Sequence, residues 1–139
     1  MRSILIILPY FFNLFVIFIT QPFWWFGRKI FLFLGIFLII LGSFIWLISA
    51  LELGSNYHLY KMPSKLITTG IYRKIRHPIY FGSTLLFLGI VIFYGSFWGL
   101  IYLFCITIPY QFLRAIYEEK QLIKKFGQKY LDYKKTTLF

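Results

Sequence analysis

Three stretches of the chain carry no charged residue: Ser3 to Gly27 is 25 residues long, Ile30 to Leu51 is 22 and Pro78 to Leu113 is 36. A helix needs about 20 apolar residues to cross roughly 30 Å of hydrocarbon, so the first two stretches each fit one membrane span. The third would be about 54 Å long as a single helix, too long even with strong tilt. It is predicted to fold back at Tyr94-Gly95-Ser96, giving two legs of about 16 residues that are short for a span and therefore tilted or packed deep within protein. The pattern predicts an all-α polytopic membrane protein of about four transmembrane helices, the last two forming a C-terminal hairpin. From Tyr117 to Tyr133 the chain turns polar and helix-prone, and Leu122, Ile123 and Phe126 build one apolar stripe among lysines. This is an amphipathic tail helix that lies on the membrane surface or caps the bundle.

Arg2 followed by an apolar run looks superficially like a signal peptide. No small-x-small cleavage site follows it, and Gln21-Pro22-Phe23-Trp24-Trp25 reads as an interfacial corner, so the segment is expected to stay as an uncleaved first helix. Gly95 and Gly99 form a GxxxG that is expected to pack the hairpin rather than a dimer.

Composition agrees with a lipid solvent: 60% of the 139 residues are hydrophobic and only 14% charged, against roughly a quarter charged in an ordinary globular domain. The length allows one compact domain. Fifteen basic and four acidic residues leave a formal charge of +11. With four spans, thirteen of the fifteen basic side chains fall on one side and only Arg28 and Lys29 on the other. That asymmetry predicts cytosolic termini and a cytosolic loop from Glu52 to His77, so the charge is mostly topological and argues against nucleic acid. The single Cys105 supports neither a disulfide framework nor a cysteine metal site and reads as an ordinary buried thiol. No metal site is expected.

In so apolar a chain the informative residues are polar ones at the edges of the runs. Pro78 suits the first turn of a helix, whose N–H groups then form an anion-binding end, and Arg76 and His77 stand just before it. Tyr80 adds an aromatic edge, and Gly82 a place where a flat ligand could approach the backbone. Across the hairpin, Arg114, Glu118 and Glu119 reach the same membrane face, and the glutamates are two of only four acids. Donors on one side and carboxylates on the other suit a zwitterion attached to something flat and aromatic, a description that S-adenosylmethionine meets.

The segment Gly70-x-Tyr72-x-x-x-Arg76-His77-Pro78-x-Tyr80-x-Gly82, with Glu118-Glu119 and Phe126-Gly127-x-x-Tyr130-x-x-Tyr133 downstream, resembles the isoprenylcysteine carboxyl methyltransferases and the related phospholipid methyltransferases. The resemblance covers roughly Leu53 to Phe139. It implies one integral membrane methyltransferase domain, 1–139, with two N-terminal membrane helices in 1–53 and the cofactor-binding loop, hairpin and tail in 54–139. It also implies S-adenosylmethionine as cofactor, held by Lys65, Leu66, Ile67, Tyr72, Arg76, His77, Pro78, Ile79, Tyr80, Gly82, Glu118 and Glu119. Lys65 to Ile67 would form part of the adenosine wall, and His77 to Tyr80 would line the amino-acid and ribose portions. Arg114 would face the methyl acceptor and, with Glu118, carry the catalytic work. The acceptor implied is a lipid or lipidated molecule, a prenylcysteine-type carboxylate first and a phospholipid amine or a thiol as alternatives. Membrane sterol reductases look similar at this loop but usually carry Asn before the tyrosine, where this chain has Pro78-Ile79. A non-enzymatic lipid-binding scaffold is the other competing class.

Overall fold

The computed structural model describes residues 2–20, 28–54 and 65–138, so Gln21 to Trp25 lie outside the described residues. These residues form helices and no strand. Helix α1 spans Arg2–Ile19, α2 spans Arg28–Leu53, a 3₁₀ turn covers Gly70–Arg73, and α3 spans Pro78–Tyr94. Helix α4 runs without a break over Phe97–Phe126, and α5 spans Gln128–Thr136. Two helices are long and apolar enough to cross a membrane: α2, with mean hydropathy 2.8 over Lys29–Leu53, and α4, with 1.4 over 30 residues. Helix α3 and the Ile7–Ile19 part of α1 are apolar but shorter.

The turn between α3 and α4 falls where the sequence predicts it. Gly95 takes a left-handed φ of 75° that ends α3, with its N–H on Val91 O at 2.8 Å. Ser96 then caps α4 by accepting the Gly99 N–H at 2.9 Å. The length of the following leg departs from expectation, because α4 does not stop with the apolar run at Leu113. Loss of hydrophobicity marks where the solvent changes, and nothing between Leu113 and Gly127 breaks a helix. Pro109 is the one residue that should have done so earlier. It lacks the N–H that would bond Cys105, and the π-helical turn Leu103–Thr107 just before it widens the backbone and lets the helix pass. Cys105 sits in that turn with its side chain exposed, not buried as the sequence suggests, because the turn aims Phe104, Cys105 and Ile106 outward.

Helices α2 and α3 pack backbone to backbone. A methyl group on Gly42 would lie 2.4 Å from Leu86 N, one on Gly82 2.7 Å from Trp46 N, and one on Gly89 2.7 Å from Ile39 N. Glycines at these positions let two apolar helices approach backbone to backbone. The opposite face of α2 carries Ile30, Phe37, Phe44 and Leu51, each at least 60% exposed. Helix α4 is held instead by α1. The Asn13 amide, buried completely, lies 3.5 Å from both Gly99 O and Thr107 Oγ1, and Thr20 and Ser96 share a 2.6 Å hydrogen bond. Gly99 packs on Ile17 of α1, so the GxxxG does not knit the hairpin legs together as expected: Gly95 makes the turn and Gly99 receives α1. The hairpin legs therefore lean on different N-terminal helices, and side chains bridge the gap between them.

Candidate functional site

Pro78, fully buried, opens α3, and the N–H groups of Tyr80 and Phe81 turn back to His77 O at 3.1 and 3.2 Å. One turn of helix thus fixes His77 and Tyr80 side by side, their rings stacked at 5.7 Å and 24°. From α4, Glu118 Oε1 accepts the Tyr80 hydroxyl at 2.5 Å and Arg114 Nε at 3.1 Å. The Arg114 guanidinium lies 5.6 Å from the centre of the Tyr80 ring, a cation–π distance. Aromatic, cation and carboxylate are locked around one oxygen. Among the described residues Glu118 Oε2 accepts no hydrogen bond, and the buried Nε2 of His77 has none either, lying 3.5 Å from Glu119 Oε1 without the alignment of one. Burial pushes the His77 pKa below its usual value against the pull of Glu118 and Glu119, which keeps the ring neutral.

A second cluster holds the tail over this site. Glu119 takes Arg76 Nε at 2.9 Å on one oxygen and Lys134 Nζ at 2.6 Å on the other. Burial alone would raise the Glu119 pKa, but Lys134 and Arg76 hold it below the usual carboxylate range. The other arm of Arg76 donates to Thr137 Oγ1 at 2.8 Å and reaches the Lys134 and Thr137 carbonyls. Gly127, at φ 54°, reverses the chain so that α5 can return. The Tyr133 hydroxyl then bonds Tyr72 O at 2.5 Å, and Leu138 N bonds Lys74 O at 3.0 Å. Tyr130 is 1% exposed beneath this strap. The 3₁₀ turn is anchored below by α2: Glu52 caps the Ile71 N–H with both carboxylate oxygens at 2.8 and 3.1 Å, and Tyr72 donates to Ser49 O at 3.3 Å. Gly70 needs its positive φ of 56° there, and a side chain would strike Glu52.

The residues singled out in the sequence therefore separate by place. His77, Pro78, Tyr80, Arg114 and Glu118 converge, and Ile79, next to them in the first turn of α3, is half-buried. Arg76 and Glu119 are spent on each other and on the tail, and Tyr72 ties the loop to α2 and α5. Gly82 faces α2, which fills the space suggested for a flat ligand. Lys65 is exposed, Leu66 buried and Ile67 half-buried, and none of the three adds a hydrogen bond among the described residues. The sequence reading passed over Glu52, although it is one of only four acids. It also passed over Gln111, whose Oε1 accepts Thr84 Oγ1 at 2.7 Å and whose Nε2 donates to Ser83 Oγ at 3.2 Å. Gln111 stands three residues before Arg114 on the same helix, a spacing that could have revealed it.

A family model described as phospholipid methyltransferase matches residues 29–129. The chain is also 32% identical over 109 residues to the protein-S-isoprenylcysteine O-methyltransferase of Rattus norvegicus, an alignment covering 73% of this chain and 37% of that one. The chain thus spans little more than a third of that relative's length; the region matched by the family model includes the 3₁₀ turn, α3 and α4 with the Tyr80–Glu118–Arg114 cluster. On a match of this extent, the chain belongs to the phospholipid methyltransferase family.

Proposed function

We propose that this protein is an S-adenosylmethionine-dependent membrane methyltransferase acting on a lipid or lipidated acceptor. The observation that carries the reading is the convergence of a neutral histidine, a tyrosine, an arginine and a glutamate at the ends of two apolar helices. The residues suit the cofactor: the orphaned, buried His77 Nε2 and the open Glu118 Oε2 are the two valences that a zwitterion with a carboxylate and an ammonium would satisfy. His77, Ile79, Tyr80 and Glu118 would hold it, with Lys65 to Ile67 along the adenosine side and Tyr72 behind the loop. Once bound, it would supply an electrophilic methyl group on its sulfonium.

The protein's own work is alignment and exclusion of water. Arg114 orients an anionic acceptor, and Glu118 fixes Arg114 and Tyr80 while meeting positive charge. Arg76 and Glu119 hold the tail closed over the loop. The favoured acceptor is a prenylcysteine-type carboxylate, which needs no general base, in keeping with the name of the mammalian relative. The phospholipid reading draws on the family description. A phospholipid amine must lose a proton, and Glu118 is then the base, since Glu119 already holds Lys134 and Arg76. In the topology that goes with this reading, α1 to α4 all cross the bilayer and both termini, with the site, face the cytosol, as the basic residues favour.

Thermal unfolding in detergent tests the proposal. S-adenosylmethionine at 100 times its dissociation constant should stabilise the protein by about 2.7 kcal/mol; an unchanged melting temperature at saturating concentration would remove it. Transfer of a labelled methyl group to a prenylcysteine analogue, compared with extracted phospholipids, distinguishes the acceptors.

A further inference from the structure

The family match begins at residue 29 and leaves α1 outside it, yet α1 reaches the site. Thr20 on Ser96, Ile17 on Gly99 and Asn13 beside Thr107 set α1 antiparallel to α4 in a fixed register. Continuing that register one turn further brings Tyr10 level with Gln111. Its ring packs on Phe87 of α3 at 5.3 Å, and its hydroxyl reaches both Gln111 and Ser83 and lies within the field of Arg114. Ser83 stands three residues after Tyr80 and Gln111 three before Arg114, so Tyr10 fills the gap between α3 and α4 one turn deeper into the bundle than the site. It is the floor on which the Tyr80–Arg114 pair stands.

The hydrogen bonds around it have a fixed direction. Thr84 donates to Gln111, Gln111 donates to Ser83, and Ser83 donates to Tyr80 O at 2.9 Å. Ser83 has no second proton, and Gln111 has one amide N–H left to offer the phenolic oxygen. Ser83 Oγ and Gln111 Oε1 each keep a lone pair that can accept the Tyr10 proton, so the hydroxyl has an acceptor at rest and can turn from it to a group entering from the bilayer, where the charge beside it is the guanidinium of Arg114. A hydroxyl donor on a half-buried residue beside a cation suits an oxyanion.

We propose that Tyr10 is a specificity-determining residue, donating its hydroxyl to the carboxylate or phosphate oxygen of an amphiphilic acceptor that Arg114 orients. This rests on the methyltransferase reading for the reaction but makes its own claim about binding. The full chain in detergent is titrated with N-acetyl-S-farnesylcysteine as carboxylate probe, dioleoyl phosphatidic acid as phosphate probe and farnesol as neutral control. The wild type should bind at least one anionic probe more tightly than farnesol, and whichever it is names the source of the oxyanion. Tyr10→Phe, which keeps the ring on Phe87, should weaken that probe about tenfold and leave farnesol and S-adenosylmethionine affinities within about twofold. Equal weakening of farnesol would mean a packing role, and an unchanged anionic probe would mean no contact; either overturns the proposal, as does a wild type with no preference for anions. If Tyr10-dependent anion binding is found where S-adenosylmethionine does not bind, the methyltransferase reading fails and this inference stands.

Discussion

The Tyr80 hydroxyl donates to Glu118 Oε1 across 2.5 Å, tying the first turn of α3 to α4 beyond the end of its apolar run. The same oxygen receives Arg114, so Glu118 settles the position of both neighbours. Removing its carboxylate leaves an arginine and a phenol without their shared acceptor and takes away the negative charge that meets the Tyr80 hydroxyl, leaving Glu119 beside His77. Glu118→Ala should abolish calorimetric binding of S-adenosylmethionine. Glu118→Gln, which keeps an acceptor but loses the charge, should weaken it by about 1.5–3 kcal/mol, roughly ten- to a hundredfold. Unchanged affinity in both variants would move the cofactor elsewhere.

Arg114 is held by Glu118 on its Nε edge and lies over the Tyr80 ring, facing the acceptor side of the proposed pocket. Arg114→Ala should raise the KM for an anionic acceptor tenfold or more, by about 1.5–3 kcal/mol, while changing cofactor affinity less. Arg114→Lys should rescue only part of the loss, since an ammonium cannot both bond Glu118 edge-on and stack on Tyr80. Steady-state kinetics with each substrate varied in turn reads the difference, and the reverse order would exchange the two roles.

Much of this was legible in the chain because lipid makes its demands locally. Charge-free runs marked the apolar helices, Pro78 marked the start of α3, and Gly95-Ser96 marked the turn, each through a backbone requirement that one or two residues satisfy. The convergence of His77, Tyr80, Arg114 and Glu118 followed from one hairpin. What stayed hidden depended on non-local partners. The run to Leu113 could not show that α4 continues to Phe126, because polarity reports the solvent and not the hydrogen-bond ladder. Gly82 offered an open backbone in the sequence, and only the fold shows α2 filling it. Arg76 and Glu119 looked like ligand groups until the returning tail claimed them, and Glu52 carried no motif to mark it as the cap of Ile71.

The close approach of α2 and α3 bears on the site, because α2 carries both Glu52 and Ser49, which hold the loop. A side chain at Gly42 would meet the backbone of Leu86 at 2.4 Å, where no rotamer change can relieve it. Gly42→Val should force the helices apart and cost about 2–3 kcal/mol, the upper range for overpacking. Cofactor affinity should fall with it as Ile71 and Tyr72 lose their anchors. Phe37→Leu on the exposed face of α2 should change stability by less than about 0.5 kcal/mol. Thermal melts in one detergent compare the two, and equal effects would mean that α2 and α3 are not packed through their glycines.

Acid should unfold the protein in two stages, each with an assigned group. His77 is held neutral, its pKa below the usual 6.5 because burial disfavours the imidazolium. Unfolding frees the ring to take a proton near 6.5, so its contribution is complete above that pH and declines as pH falls below it. Glu119 lies below its usual 4.5 because Lys134 and Arg76 outweigh the opposing effect of burial. The stability it lends the tail is present above 4.5 and is lost as pH falls through the lower folded value. Melting temperatures measured from about pH 8 to about pH 3 should therefore fall first below 6.5 and again below 4.5. His77→Asn should flatten the upper stage and leave the lower one. Glu119→Gln should remove the lower stage and reduce stability at neutral pH, because Arg76, only 13% exposed, then keeps its charge without a counterion. A profile of Glu119→Gln that retains the lower stage would show that a group other than Glu119 carries it.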